Sequence, residues 1–366
     1  ILIFTLGFLI SFSGFSQEAK DRNQENINVN KFRQLYQEFS TPNMYRTASG
    51  APGPAYYQQQ ADYKMDIELD DENKKIYGSE TITYTNNSPD NLEYLWVQLD
   101  QNVRKKDSPS LLIDGSGVRP AYAPSGFTKE FLTDPFDGGF NIEYVVDENN
   151  KPLKYIVNQT MMRVDLPSVL KSGEKFSFSI KWWYNIQDHV NQDGRSGYET
   201  FDKDGNRVYI IAQFFPRMAV YNEVEGWQNY QFWGDGEFAL PFGNYDVKIT
   251  VPSDHILDAT GELQNRKNVF SKDMLKRFNK AKKTYDKPVM IVTQAEAEEA
   301  EKGFSKKKKT WHFQAENVRD FAFATSRKFI WDMMAVKIGD KDVMAVSMYP
   351  KEGNPLWEDY STVVVA

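Results

Sequence analysis

The chain has 366 residues, of which 40% are hydrophobic and 26% charged, with a net charge of −7. This length leaves room for a large core and more than one domain, and the acidic balance excludes nucleic acid as the main partner, because phosphate contacts need a basic face. Cysteine is absent, which excludes disulfides, thiolate metal ligands, a cysteine nucleophile and a lipid attachment point.

The opening "ILIFTLGFLISFSGFSQEAKD" reads as an export signal over residues 1–16. An apolar run gives way to Gly14 and Ser16 and then to a polar start. The run is interrupted and falls short of the roughly 20 residues of a membrane span. With no initiator Met or basic flank, the sequence is expected to begin inside its gene. The mature protein is expected to be exported, periplasmic or extracellular, without a stable membrane span. Residues 17–60 read as a helix with Phe32, Leu35, Tyr36 and Phe39 on one stripe, followed by an extended connector with Pro42, Gly50, Pro52, Gly53 and Pro54.

From Ala61 to about Pro252 the pattern is β. The aromatic content of 14% favours strands. "ADYKMDIELD", "KKIYGSETITYTNNS", "LEYLWVQLDQN", "EKFSFSIKWWYNI" and "FGNYDVKITVP" alternate with period two. "FNIEYVVDENNKPLKYIVNQTMMRVDLP" suggests a hairpin and then another strand. Strands without intervening helices imply sheets packed on one another or a bent antiparallel sheet. Helices return late. Ser271 caps "KDMLKRFNKAKK", and Thr293 with Glu296 forms a capping box before "QAEAEEAEK". The lysines at 306–309 read as a solvated surface segment, "DFAFATS" and "GDKDVMAVSMYP" as strands, and "NPLWEDYSTVVVA" as a helix start cut short at Ala366.

The residues offer little catalytic chemistry. His189, His255 and His312 each stand alone, without the two-histidine helical spacing that a cysteine-free zinc site commonly uses. "FDKDGNRV" has its glycine, Gly205, in the wrong place for a calcium loop and reads as a hairpin turn; "NQDGRSG" is a turn as well. "DGSGV" at 114–118 lacks the strand–helix setting of a serine elbow. No two carboxylates are singled out as a glycosidase pair. Trp182 and Tyr184 share one strand face and Trp183 takes the other. Packing between sheets is the first expectation for them, and a glycan platform the second. The segment "VYIIAQFFPRMAVYN" raises a sharper question, since a buried-looking strand meets the amide Gln213 just before Phe214, Phe215, Pro216 and Arg217: either Gln213 satisfies a local backbone group, or the strand presents it to something outside.

The blocks "YRTASGAPGPAYYQQQADYKMDIELDDENKKIYGSETITYTNNSPDNLEYLWVQLDQN", "AQFFPRMAVYNEVEGWQ", "GEFALPFGNYDVKITVP" and "FQAENVRDFAFATSRKFIWD" resemble, in order, the N-terminal portion of M1-family zinc metallopeptidases of the aminopeptidase N-like group. The resemblance implies a mainly β fold: a saddle-like antiparallel β-domain over 61–335, then the start of an α/β thermolysin-like catalytic domain over 336–366, truncated. It implies peptide as substrate and zinc as cofactor of the full-length protein. This chain has neither H-E-x-x-H nor a G-x-M-E-N-like stretch, so it is expected to bind no metal and to be inactive alone. The one site residue the resemblance implies here is Gln213, a substrate-binding amide on the S1 side of the cleft. Phe214 and Phe215 are expected in the core, and Arg217 as a structural ion-pair partner. The sequence lacks the family's F-P-C-x-D-E-P block after Gln213, which suggests a divergent branch. A non-catalytic β-scaffold or a glycan- or protein-binding module is the alternative.

Overall fold

The computed structural model describes residues 42–110, 136–190 and 196–358 apart from 235 and 237, with isolated positions at 121, 123–128, 132, 192, 194 and 364. The expected signal peptide, the N-terminal helix, the 114–118 loop and most of the terminal helix start lie outside the described residues. Contacts divide the chain into two units, 1–56 and 57–366. In the first, Arg46 bridges to Pro52, and its guanidinium lies 5.2 Å from the centre of the Tyr56 ring.

The second unit is built on a seven-stranded sheet. It comprises β1 (Gln60–Asp70), β2 (Lys75–Thr85), β4 (Asn141–Asp147), β7 (Lys175–Asn185), β13 (Gly243–Pro252), β15 (Glu262–Leu263) and β17 (Lys308–Val318), in the order β15-β17-β13-β1-β2-β7-β4. The pairings are antiparallel except β1 with β13, which is parallel. Period-two alternation turns one column of each strand inward: Ala61, Tyr63, Met65, Ile67 and Leu69 on β1, and Phe178, Ile180, Trp182 and Tyr184 on β7. Each fully buried side chain of this size contributes about 1.5–3 kcal/mol of transfer free energy. Gly78 on β2 sits beneath Trp182, and a Cβ there would lie 2.3 Å from the indole ring.

Against this face pack the smaller sheets. One joins β10 (Arg217–Met218), β3 (Leu92–Gln98), β6 (Met161–Leu170) and β5 (Tyr155–Asn158); another joins β14 (Ile256–Ala259), β18 (Phe323–Ser326), β9 (Arg207–Ile211) and β8 (Gly197–Thr200). A two-stranded ribbon pairs β11 (Tyr221–Asn222) with β12 (Gly226–Trp227). A three-stranded sheet holds β16 (Val289–Val292), β19 (Ile330–Ile338) and β20 (Lys341–Tyr349). Buried residues of the large sheet and of these three- and four-stranded sheets share one continuous core. Helices α1 (Lys272–Ala281) and α2 (Gln294–Glu301) start where expected. The Ser271 hydroxyl accepts from the Met274 amide, and Thr293 and Glu296 form the reciprocal capping box.

Three expectations need correction. The hairpin lies between β5 and β6, while β4 pairs with β7. The 306–309 lysines are not all solvated loop: Lys308 and Lys309 begin β17, and Lys309 turns onto the inward face with Trp311. Burial holds the Lys309 amine down to about 8. The Trp182 ring is fully buried, so it offers no surface to a glycan. Strand β19 runs unbroken across residues 335 and 336.

Candidate functional site

Strand β9 ends at Ile211, and seven residues later the chain is in β10. From Ile211 to Ala219 only Ala212 and Gln213 are not buried. Phe214 and Phe215, both 0% exposed, are driven into the core. Phe214 meets Phe323 edge-on at 5.2 Å, and Phe215 meets Tyr63 at 5.4 Å. Between the strand and this aromatic anchor the backbone turns sharply, and Gln213 takes φ +51°. A left-handed conformation at a residue with a side chain costs about 1–2 kcal/mol, and such strain persists only where its surroundings enforce it.

The enforcing groups come from the 3₁₀ turn Asp100–Arg104 that follows β3. Gln101 Nε2 donates to the Gln213 carbonyl at 2.9 Å. Asp100 pairs with Arg217 at 2.9 Å, and Asp320 completes the clamp at 2.6 Å. Burial opposes the Arg217 charge, but the two carboxylates outweigh it and raise its pKa. Arg217 is thus the structural ion-pair partner the sequence suggests. Among the described residues the Gln213 side-chain amide has no hydrogen-bond partner, so a half-buried carbonyl oxygen and NH₂ group remain available at the strand end.

The titratable groups fall elsewhere. His312 Nε2 sits 3.0 Å from Asp246 on the outer face of the large sheet. His255 is fully buried beside Thr325. The Thr325 hydroxyl spends its proton on the Ile256 carbonyl at 2.9 Å, so it accepts from His255 Nδ1–H and leaves a lone pair on Nε2. Burial, then the nearby Arg327 charge, pushes the imidazole down to about 3. Arg327 itself is 1% exposed and ties Asp71 to Asp254. Tyr209 donates to Asp71 at 2.8 Å, and Arg207 lies 3.4 Å from the same carboxylate. The charges of Arg327 and its neighbours outweigh burial and keep the Asp71 pKa low.

One acidic triad could in principle hold a cation: oxygens of Asp204, Glu301 and Glu352 lie within 4.8 Å of one another. Their shared centre is already filled. The Lys328 ammonium lies 2.6, 3.0 and 2.9 Å from these three carboxylates, is 0% exposed, and rests 4.6 Å from the centre of the Phe201 ring. An all-carboxylate set with its own buried ammonium does not fit zinc, which favours nitrogen and sulfur donors. The described residues bring no two histidines together at a metal site. Sequence reading missed this triad; its signal was the Arg327-Lys328 pair lodged in an otherwise apolar stretch. On the outer face, Trp183 is half-buried and the Lys75 ammonium covers its ring at 4.5 Å.

No family model and no curated protein matches the sequence. Solved structures that resemble the chain include the M1 zinc metallopeptidase of Deinococcus radiodurans, at 11% identity and TM-score 0.41 over 82% of this chain and 49% of that one. A mutant of that enzyme bound to a Tyr-Ser-Ala substrate matches at 11% identity and TM-score 0.42, over 82% of this chain and 50% of that one. A two-domain M1 zinc metallopeptidase mutant bound to L-arginine matches at 11% identity and TM-score 0.40, over 80% and 48%. The chain spans about half the length of the structures it resembles.

Proposed function

We propose that this chain is the N-terminal, mainly β part of an exported M1-type zinc aminopeptidase, and that it lines the substrate cleft of the complete enzyme with Gln213. The observation that supports this most is the geometry at position 213: a strained, left-handed residue at a strand end, anchored by two buried phenylalanines, with its amide side chain unpartnered among the described residues. An amide oxygen so presented accepts a hydrogen bond from the ammonium group of a peptide N-terminus. Zinc and the general base belong to a partner domain that carries H-E-x-x-H, a motif this sequence lacks. With the metal, that domain supplies an activated water for attack on the scissile carbonyl. The chain by itself binds no zinc and turns over no peptide. The apolar run over 1–16 directs export.

The test compares the 366-residue chain with a longer product of the same gene, both supplied with zinc, on alanine and leucine p-nitroanilides. We expect no turnover by the chain and zinc-dependent release by the longer product. Gln213→Ala in the longer product raises KM for substrates with a free amino group about tenfold, the loss of roughly one hydrogen bond to a charged group. A longer product without H-E-x-x-H, or a Gln213→Ala variant with unchanged KM, refutes the reading.

A further inference from the structure

We propose that Gln101 is a positioning residue: its buried amide holds the Gln213 carbonyl and thereby fixes the left-handed backbone that carries the half-buried Gln213 side chain. Gln101 is 1% exposed, and Nε2 reaches the Gln213 carbonyl at 2.9 Å. The orientation of its amide is not arbitrary. Arg104 Nη1, which can only donate, lies 3.3 Å from Gln101 Oε1, so the NH₂ end is the one that faces Gln213. Without that donor the Gln213 carbonyl is left unpaired in a half-buried setting, and the one hydrogen bond made to the left-handed residue itself is lost. The chain can then relax at Ala212 and Gln213, the two residues of 211–219 that are not packed into the core. Phe214, Phe215 and Arg217 remain fixed by their rings and ion pairs. The relaxation is therefore confined to Ala212 and to Gln213, which carries the half-buried amide.

The backbone part of this inference stands on its own. Its consequence for a ligand rests on the proposed role of Gln213 as an acceptor for a peptide ammonium group.

The experiment is nuclear magnetic resonance on the isotope-labelled full chain. A left-handed residue gives a strong intraresidue cross-relaxation peak between its amide and α protons, and an extended residue gives a weak one. We expect the strong peak at Gln213 in the unmodified chain. Gln101→Leu and Gln101→Glu, which keep the shape but remove the donor, should weaken it several-fold while Phe214, Phe215 and Arg217 keep their shifts. A strong peak in either folded variant overturns the proposal. Should neither variant fold, hydrogen exchange of the Gln101 side-chain amide in the unmodified chain decides: slowing of about tenfold or more supports the bond, and free exchange overturns it. L-Alaninamide then probes the ligand. A shift of the Gln213 side-chain resonances in the unmodified chain, lost in Gln101→Leu, supports the coupled role. Absence of any shift in the unmodified chain sinks the ammonium reading and leaves the backbone result standing.

Discussion

Replacing Glu80 by glutamine should stabilise the protein at neutral pH. Glu80 occupies the inward column of β2 between Gly78 and Ile82, opposite Met65 on one side and Ile180 on the other. It is 2% exposed, and neither carboxylate oxygen has a hydrogen-bond partner among the described residues. Tyr63 and Tyr245 are the titratable groups whose own shifts register its charge. Burial alone raises its pKa well above the ordinary 4.5. The folded chain therefore keeps a proton that the unfolded chain releases above pH 4.5, and stability falls as pH rises from there through the folded pKa. Within that window the slope is at most about 1.4 kcal/mol per pH unit. A glutamine at this position would have the same shape and the same unpaired polar atoms but no such slope. Urea unfolding followed by tryptophan fluorescence from about pH 5 to about pH 8 measures it. The advantage of Glu80→Gln over the unmodified chain should be smallest near pH 4.5 and grow as pH rises, by at most about 1.4 kcal/mol per unit. A difference that does not vary with pH refutes the reasoning, because it would mean that Glu80 is ionised and satisfied in the fold.

The same packing sets three further outcomes. His255 has the opposite sign: its pKa is depressed to about 3, so stability should fall as pH drops below 6.5, at about 1.4 kcal/mol per unit, and His255→Gln should flatten that acid limb in the same unfolding series. Lys328→Met strips a buried ammonium from between three carboxylates and should cost about 3–5 kcal/mol in urea unfolding at pH 7; a loss below about 1 kcal/mol would place the pairs in the class of surface salt bridges. Gly78→Ala forces a methyl into the Trp182 ring and should lower stability by about 1–3 kcal/mol, read from the thermal midpoint by circular dichroism, together with a change in tryptophan fluorescence.

The strands that could be read from the sequence share one property, a single buried face. On β1, β2, β7 and β13 water on one side and core on the other write a period of two into the sequence, and Trp182 and Trp183 part to opposite faces as that period requires. Strand β19 was missed because Ile330 to Ala335 are all buried, so no alternation remains to be seen. Strand β17 was missed because its first turns are lysines, although Lys309 points inward and its neighbour Lys308 outward to Glu68. The parallel pairing of β1 with β13 joins segments too far apart in sequence for any local pattern to announce. At the site, the position of Gln213 at a strand end was legible from the apolar run before it and Pro216 after it. Its left-handed backbone and its hold on Gln101 were not, because the partner is 112 residues away.

The run from Gln98 to Arg104 shows why the site resists reading. The period-two pattern carries the strand on through this run, yet the strand ends at Gln98 and Gln98, Asp100, Gln101 and Asn102 are each at most 3% exposed. Buried polar side chains are costly unless each finds a partner. Here three adjacent residues find four. Asp100 takes Arg217, Gln101 holds the Gln213 carbonyl, and Asn102 accepts from the Phe140 amide at 2.9 Å while donating to the Gln159 carbonyl at 2.8 Å. Gln159, like Gln213, is left-handed, at φ +54°. Two strained carbonyls are thus held by side chains one position apart on a single turn. An apolar turn could fill the same space with less desolvation, but it could not dictate where three separate loops run. The polar turn therefore trades stability for a defined backbone path, and the residue that gains most from that definition is the left-handed Gln213.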